Sequence, residues 1–148
     1  MNAREIMTPN PVCCLPGTSL AEVARLMATH DCGAIPIVDD DALRQPLGVI
    51  SDRDIVLRAV AVEKDAARLA ARDCMSGPCV FVTESSSLDD CCDAMEANQI
   101  RRLVVVDRDN RVTGVIAQAD IAKAATALKT AEVVREISLP HEALHATF

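Results

Sequence analysis

The sequence predicts an α/β fold (α+β in its arrangement): two β-α-β-β-α repeats packed sheet to sheet with pseudo-two-fold symmetry. Three observations predict it. The chain repeats itself along most of its length, the same order of helical and extended patterns recurs in both halves, and apolar runs of strand length are bounded by polar turns.

The repeat is read directly. Ala3-Arg4-Glu5-Ile6-Met7-Thr8 matches Ala71-Arg72-Asp73-Cys74-Met75-Ser76, an offset of 68 residues (71 against 3). At that offset Val12 meets Val80, Ser19-Leu20 meets Ser87-Leu88, Met27 meets Met95, and Ile37-Val38-Asp39 meets Val105-Val106-Asp107. The offset then falls to 66 (114 against 48). Gly48-Val49-Ile50 meets Gly114-Val115-Ile116 and Asp54-Ile55 meets Asp120-Ile121. The two extra residues of the first copy fall in the polar stretch 40–45, where a surface turn tolerates insertion. The chain divides into copy one (1–66), copy two (67–128) and a helical tail (129–148).

Each copy opens with a short strand, near Val12-Cys13-Cys14 or Val80-Phe81-Val82. A helix follows, begun by Ser19-Leu20-Ala21-Glu22 or Ser87-Leu88-Asp89-Asp90. Both segments have the Ser-x-x-acid form of a capping box. Leu20, Val23, Leu26 and Met27 have helical spacing, and Gly33 is the expected left-handed stop. Next come two strands, Ala34–Val38 then Leu47–Ile50, or Leu103–Val106 then Val112–Ile116. Pro36 places its strand at an edge or a bulge. A second helix runs from Asp52 to about Val62, or from Gln118 to about Leu128. Sixty residues of this kind make a marginal core alone, and two copies stacked on each other bury what each leaves open.

Composition narrows the function. The 148 residues are 50% hydrophobic and 25% charged, the mix of a globular domain. The net charge of −7 is the reverse of a nucleic-acid footprint. Trp and Tyr are absent and Phe occurs twice, so base-stacking platforms are missing too. No apolar run reaches membrane-span length, and the N-terminal residues lack a secretory pattern, so a cytoplasmic location is expected. The seven cysteines include two adjacent pairs and no Cys-x-x-Cys. They read as reduced thiols serving as small core residues.

The segment Gly48-Val49-Ile50-Ser51-Asp52-Arg53-Asp54-Ile55 closes the first copy. Together with Cys32-Gly33-Ala34-Ile35-Pro36-Ile37-Val38 and Arg101-Arg102-Leu103-Val104-Val105-Val106-Asp107, it resembles the cystathionine-β-synthase (CBS) domain family. The resemblance runs from about Ala3 to about Leu128, and is greatest to short bacterial proteins that consist of a CBS pair and little else. It implies a regulatory, non-catalytic module that binds AMP, ADP, ATP or S-adenosylmethionine as a ligand, requires no cofactor, and forms a homodimer that acts on a regulated protein. The acidic balance leaves no nucleic-acid partner expected, the short apolar runs no membrane partner, and the cysteine spacing no metal.

The residues themselves suit that chemistry. A carboxylate has two oxygens and about four lone-pair sites, so Asp54 or Asp120 could accept from two ribose hydroxyls at once. Ser51 opens a helix, where a hydroxyl and free amides suit a phosphate. Arg53, Arg101 and Arg102 supply local cations. The resemblance implies walls of Val80, Ile100, Arg101 and Arg102 for the Asp54 cleft. For the Asp120 cleft it implies Val12, Cys32, Gly33 and Ala34, with Arg102 near the phosphates. Ala117 replaces the Ser51 hydroxyl in the second copy, so the Asp54 cleft is expected to bind better. Ser51-x-x-Asp54 is equally the pattern of a capping box, and a first-turn acid such as Asp120 also answers the helix dipole.

Two further readings compete. A thiol redox protein would use some of the seven cysteines, with Cys74 close to Arg72; a ligand-free interaction module would have lost its clefts. His141-Glu142-Ala143-Leu144-His145 has the spacing of a zinc-protease helix. It stands three residues from the last residue of the sequence, with no segment after it to supply a third ligand, and reads as coincidence. His30 is expected to be solvated near a helix end, 65–70 to be a short helical linker, and 131–137 to pack on the module or on a partner.

Overall fold

The computed structural model describes residues 1–140; the His141–His145 segment lies outside them. In copy one, α1 (Ala3–Ile6) and β1 (Thr8–Pro9) precede α2 (Leu20–His30), β2 (Ala34–Val38), β3 (Pro46–Ser51) and α3 (Asp52–Ile55), which continues as a π-helical segment, Val56–Val60. A 3-10 turn, Ala66–Arg68, bridges to copy two. There α4 (Ala71–Cys74), β4 (Phe81–Thr83), α5 (Leu88–Asn98), β5 (Arg102–Val106), β6 (Val112–Ala117) and α6 (Gln118–Ala124) repeat the pattern, and α7 (Ala127–Ile137) follows.

The strands pleat between two surfaces. On β5, Leu103 and Val105 face the helices of their own copy, while Val104 and Val106 face the other copy. This is the period of two that puts successive side chains on opposite faces. On β2, Ile35 and Ile37 likewise enter the first core and Val38 meets Val104, Val106 and Val112 across the seam. Cys13, Leu15, Val49 and Cys79 fill in around those valines. The two halves therefore pack sheet against sheet, as the repeat predicts.

The pairing is less regular than two three-stranded sheets. β2 pairs with β3 antiparallel, and in place of a strand at Val12-Cys13-Cys14 there is one parallel bridge, Cys14 to Ile37. The other sheet has four strands in the order β1-β6-β5-β4. Its β1 belongs to copy one, with Thr8 opposite Val115 and Pro9 opposite Gly114. In the matching place Ser76 of copy two bridges to Val49 of copy one, with bonds of 3.0 and 2.9 Å in the two directions. Each lead segment thus joins the other copy's sheet. Ala71 and Cys74 are buried in the first core, and Ala3 in the second.

Helix ends depart from the sequence reading in three places. The left-handed stop after α2 is Asp31 (φ 49°, ψ 52°), matched by Gln99 (φ 50°) after α5. Gly33 has no positive φ; its missing side chain is used for space. A Cβ on Gly33 would stand 3.1 Å from Asp52 Oδ2 and 3.3 Å from Arg102 Nη2. Ser87 and Asp90 form a full reciprocal box, whereas Ser19 only accepts from Glu22 N, because the Glu22 carboxylate pairs with Arg25. Finally, the second copy's last helix stops at Ala124. Ala125 is extended, and Thr126 caps a new helix by accepting from Lys129 N.

That helix, α7, packs on the module. Val133 and Ile137 are buried in the second core with Cys91, Cys92 and Met95. Lys129 Nζ lies 3.3 Å from Glu96 Oε1 on α5.

Candidate functional site

Two acids sit at matched points where a strand hands over to a helix. Asp54 is half-buried on α3. Its Oδ2 accepts from Ser51 N at 2.9 Å, while Ser51 Oγ accepts from Asp54 N at 3.0 Å. The pair is a capping box, so the helix-start role of Ser51 is occupied. The first amides of α3 are also taken: Asp52 N donates to Gly33 O and Arg53 N to the Asp52 carboxylate. A phosphate at this point would have to come to the Ser51 O–H or to side-chain cations.

The other oxygen of Asp54 points at the second copy. Ser76 Oγ donates to Asp54 Oδ1 at 3.3 Å, and Arg58 Nη1 lies 3.7 Å from the same oxygen. Arg58 Nη1 also donates to Cys74 O, Met75 O and Ser76 Oγ at 2.9, 3.0 and 3.2 Å. Asp120 on α6 accepts from Ala117 N at 2.8 Å through Oδ2. It lines a hollow of about 260 Å³ with Met1, Glu5, Ile6, Lys123 and Ala124. Each acid therefore faces the lead segment of the opposite copy.

Arg102 begins β5 and reaches across the seam to copy one. Its Nη2 lies over Gly33, beside Asp52, and its charge acts on Cys32. Arg102, Cys32 and Gly33, grouped by the sequence reading, are thus neighbours, and Ala34 adjoins them at the start of β2. Arg101 O accepts from Gln118 N, which ties β5 to the start of α6. Arg53 is exposed. Val80 and Ile100 pack half-buried on the second core, and Val12 on the first.

Sequence reasoning missed Arg58, Ser76 and Asp52. Arg58 was discoverable: it stands four residues after Asp54, where helical side chains meet. Ser76 carries no local signal, because its partner is 22 residues away.

The thiols are quiet. All seven are free. Burial pushes every one above its ordinary value, Cys14 to about 12 and Cys79 and Cys91 to about 11. Cys13 is raised by burial despite Arg44 Nη2 at 3.2 Å. Cys74 is raised by burial too, and the nearby Arg58 offsets this only in part. A reactive cysteine needs the opposite setting. Among the described residues, no three His, Cys, Asp or Glu side chains cluster as metal ligands. Nor is any helix there long and apolar enough to cross a membrane.

The CBS domain family matches the chain twice, over residues 3–60 and 71–127. The protein belongs to the CBS domain family. Among CBS relatives, Hypoxic response protein 1 of Mycobacterium tuberculosis is 34% identical over 122 residues, 82% of each chain. CBS domain-containing protein YhcV of Bacillus subtilis is 36% identical over 121 residues, 82% of this chain and 83% of that one. A crystal structure of Hypoxic Response Protein I with two coordinated zinc ions superposes with a TM-score of 0.76 at 31% identity, covering 85% of this chain and all of the other. CBSX2 of Arabidopsis thaliana in complex with AMP superposes at 0.70 and 25% identity, covering 86% and 98%. These matches place the chain among CBS-pair proteins, whose two repeats pack together.

Proposed function

We propose that the protein is a regulatory sensor of an adenosine compound, AMP, ADP or ATP, held where the two CBS copies meet. The observation that carries this is the placement of the two acids. Asp54 and Asp120 each stand at a strand-to-helix junction and each faces the lead segment contributed by the other copy. A ligand held there touches both copies, so its affinity depends on how they are arranged. Differential affinity of that kind is what lets a ligand shift a conformational equilibrium.

The parts divide by chemistry. The carboxylates of Asp54 and Asp120 accept from the ribose hydroxyls. Arg102, exposed and reaching across the seam to the neighbourhood of Gly33, attracts phosphate, with Ser51 and Arg53 at the start of α3 and Arg101 just before β5. Half-buried Val80 and Ile100 for one acid, and Val12, Cys32, Gly33 and Ala34 for the other, supply the aliphatic walls in a chain with no Trp or Tyr. CBSX2 bound to AMP supports an adenosine ligand in this family. Output passes through a homodimer or a regulated cytoplasmic partner, and the reading assigns no catalytic role to any of the described residues. The thiol redox reading is disfavoured by seven thiols that burial holds protonated.

The test is a calorimetric and thermal-melting panel of AMP, ADP, ATP, S-adenosylmethionine and NADH. A ligand that binds only the folded chain raises its melting temperature by mass action. At least one nucleotide should do so, and the double variant Asp54→Ala, Asp120→Ala should lose the effect. No shift with any compound, or unchanged binding in the double variant, would refute the proposal.

A further inference from the structure

The two acids are equivalent by sequence but not by surroundings. Position 58 in the first copy corresponds to 124 in the second, and the residues there are Arg and Ala. Arg58 is pinned by three acceptors from the other copy's lead segment, Cys74 O, Met75 O and Ser76 Oγ. From there it stands 3.7 Å from Asp54 Oδ1, to which Ser76 Oγ also donates. Asp54 Oδ2 is engaged by Ser51 N. Both oxygens of Asp54 thus have partners. Ala124 cannot reach Asp120. Only Asp120 Oδ2 has a hydrogen-bond partner among the described residues, Ala117 N, and the space beside it is the hollow of about 260 Å³.

A sugar diol binding Asp54 needs the lone pairs that Arg58 and Ser76 now face. We propose that Arg58 is an internal competitor for the Asp54 carboxylate, so that nucleotide fills the Asp120 side first and the Asp54 side only when Arg58 and Ser76 are displaced. This rests on the nucleotide reading given above, and it inverts the order expected from the Ser51 hydroxyl. Arg58 acts here as a specificity-determining residue: it makes one chain with two similar acids a sensor with two unequal thresholds. The bond network Arg58–Ser76–Asp54 also ties α3 to the lead segment of copy two, so displacing it loosens a contact between the copies.

The experiment is titration calorimetry with AMP on the intact chain and on the variants Asp54→Ala, Asp120→Ala, Arg58→Ala, Ser76→Ala and Ala124→Arg. In the unaltered chain the tighter event should vanish with Asp120→Ala and survive Asp54→Ala. Arg58→Ala should tighten the Asp54-side event by about tenfold, the scale of one hydrogen bond to a charged group. Ser76→Ala should act in the same direction. It leaves the bonds from Arg58 to the Cys74 and Met75 carbonyls in place, and so serves if Arg58→Ala does not fold. Ala124→Arg should weaken the Asp120-side event. The proposal is overturned if the tighter event is lost with Asp54→Ala and kept with Asp120→Ala, or if AMP binds but neither Arg58→Ala nor Ser76→Ala changes the Asp54 side. Absence of AMP binding to every variant, with no other nucleotide binding either, would overturn the sensor reading itself and this inference with it.

Discussion

Met7 of copy one lies directly on Gly114 of copy two, so close that a Cβ at 114 would overlap the Met7 side chain. The mirrored contact in the other half is harder still: a Cβ on Gly48 would stand 2.6 Å from Ser76 O, a backbone atom, and 3.3 Å from Met75 Cε. In both places a strand glycine lets the other copy's lead segment lie flat on the sheet. The two halves are clasped by exchanged segments as well as by their valine seam.

This gives a ranked prediction. Gly48→Ala must shift backbone, whereas at Gly114 a new Met7 rotamer moves the overlapping end of that side chain away and leaves only Met7 Cβ close, at 3.0 Å. Overpacking of this kind costs about 1–3 kcal/mol, and Gly48→Ala should lie at the upper end with Gly114→Ala below it. Urea unfolding of the two variants checks the order. Equal or reversed losses would mean that the clasp is not what these glycines serve.

The capping boxes give a prediction with opposite signs in the two copies. Ser51 Oγ accepts from Asp54 N, so Ser51→Ala should cost about 1 kcal/mol, the usual value of an N-cap. Ala117 already has cap geometry (φ −102°, ψ 168°), and Asp120 already accepts from its amide. Ala117→Ser should therefore complete the second box and stabilise the protein by a few tenths to about 1 kcal/mol. Thermal melting of both variants without ligand reads the two signs. A destabilising Ala117→Ser would show that the site is too tight for a hydroxyl.

The legible parts of this protein were those with periodicity. The offset of 68 exposed the duplication, and the unbroken apolar run Leu103–Val106 exposed a buried strand. The exchange of lead segments was not legible. Thr8–Pro9 is two residues long and carries no pattern, and when two copies are so alike nothing local says which sheet a segment joins. Gly33 misled for a related reason. Its value is the room it leaves for Asp52 and Arg102, both distant in sequence, while the left-handed turn fell to Asp31. At the site, Ser51 and Asp54 were legible as a pair, but Ser76 was not, since it reaches Asp54 only through the fold.

The thiols set a pH dependence. Burial raises all seven above the ordinary 9.0, Cys14 to about 12 and Cys79 and Cys91 to about 11. Unfolding releases these thiols to ionise near 9, so above that pH the unfolded chain binds fewer protons than the folded one. This contribution to stability is complete below pH 9 and is lost progressively between about pH 9 and 12. The urea midpoint should be insensitive to cysteine ionisation from pH 7 to 8.5 and fall above 9, with a smaller fall in Cys14→Ala compared against its own neutral-pH value. Thiolate absorbance from the folded chain at pH 7 would contradict this and revive a redox role.

The tail is the last element to test, because its sequence left open whether it packs on the module or on a partner. Ile137 is 4% exposed and Val133 is 1% exposed, both against Cys91, Cys92 and Met95. Lys129 is held between Glu96 and Glu132 at 3.3 and 3.7 Å. Ile137→Ala should therefore cost about 2–5 kcal/mol, the range for a buried isoleucine whose cavity does not collapse. Lys129→Ala, at a partly exposed ion pair, should cost about 1 kcal/mol or less. A helix that served only to meet a partner would show the reverse: little stability lost with Ile137→Ala in the isolated protein. Denaturant unfolding of the two variants decides between a structural lid on the second core and a free arm, and the burial of Val133 and Ile137 argues for the lid.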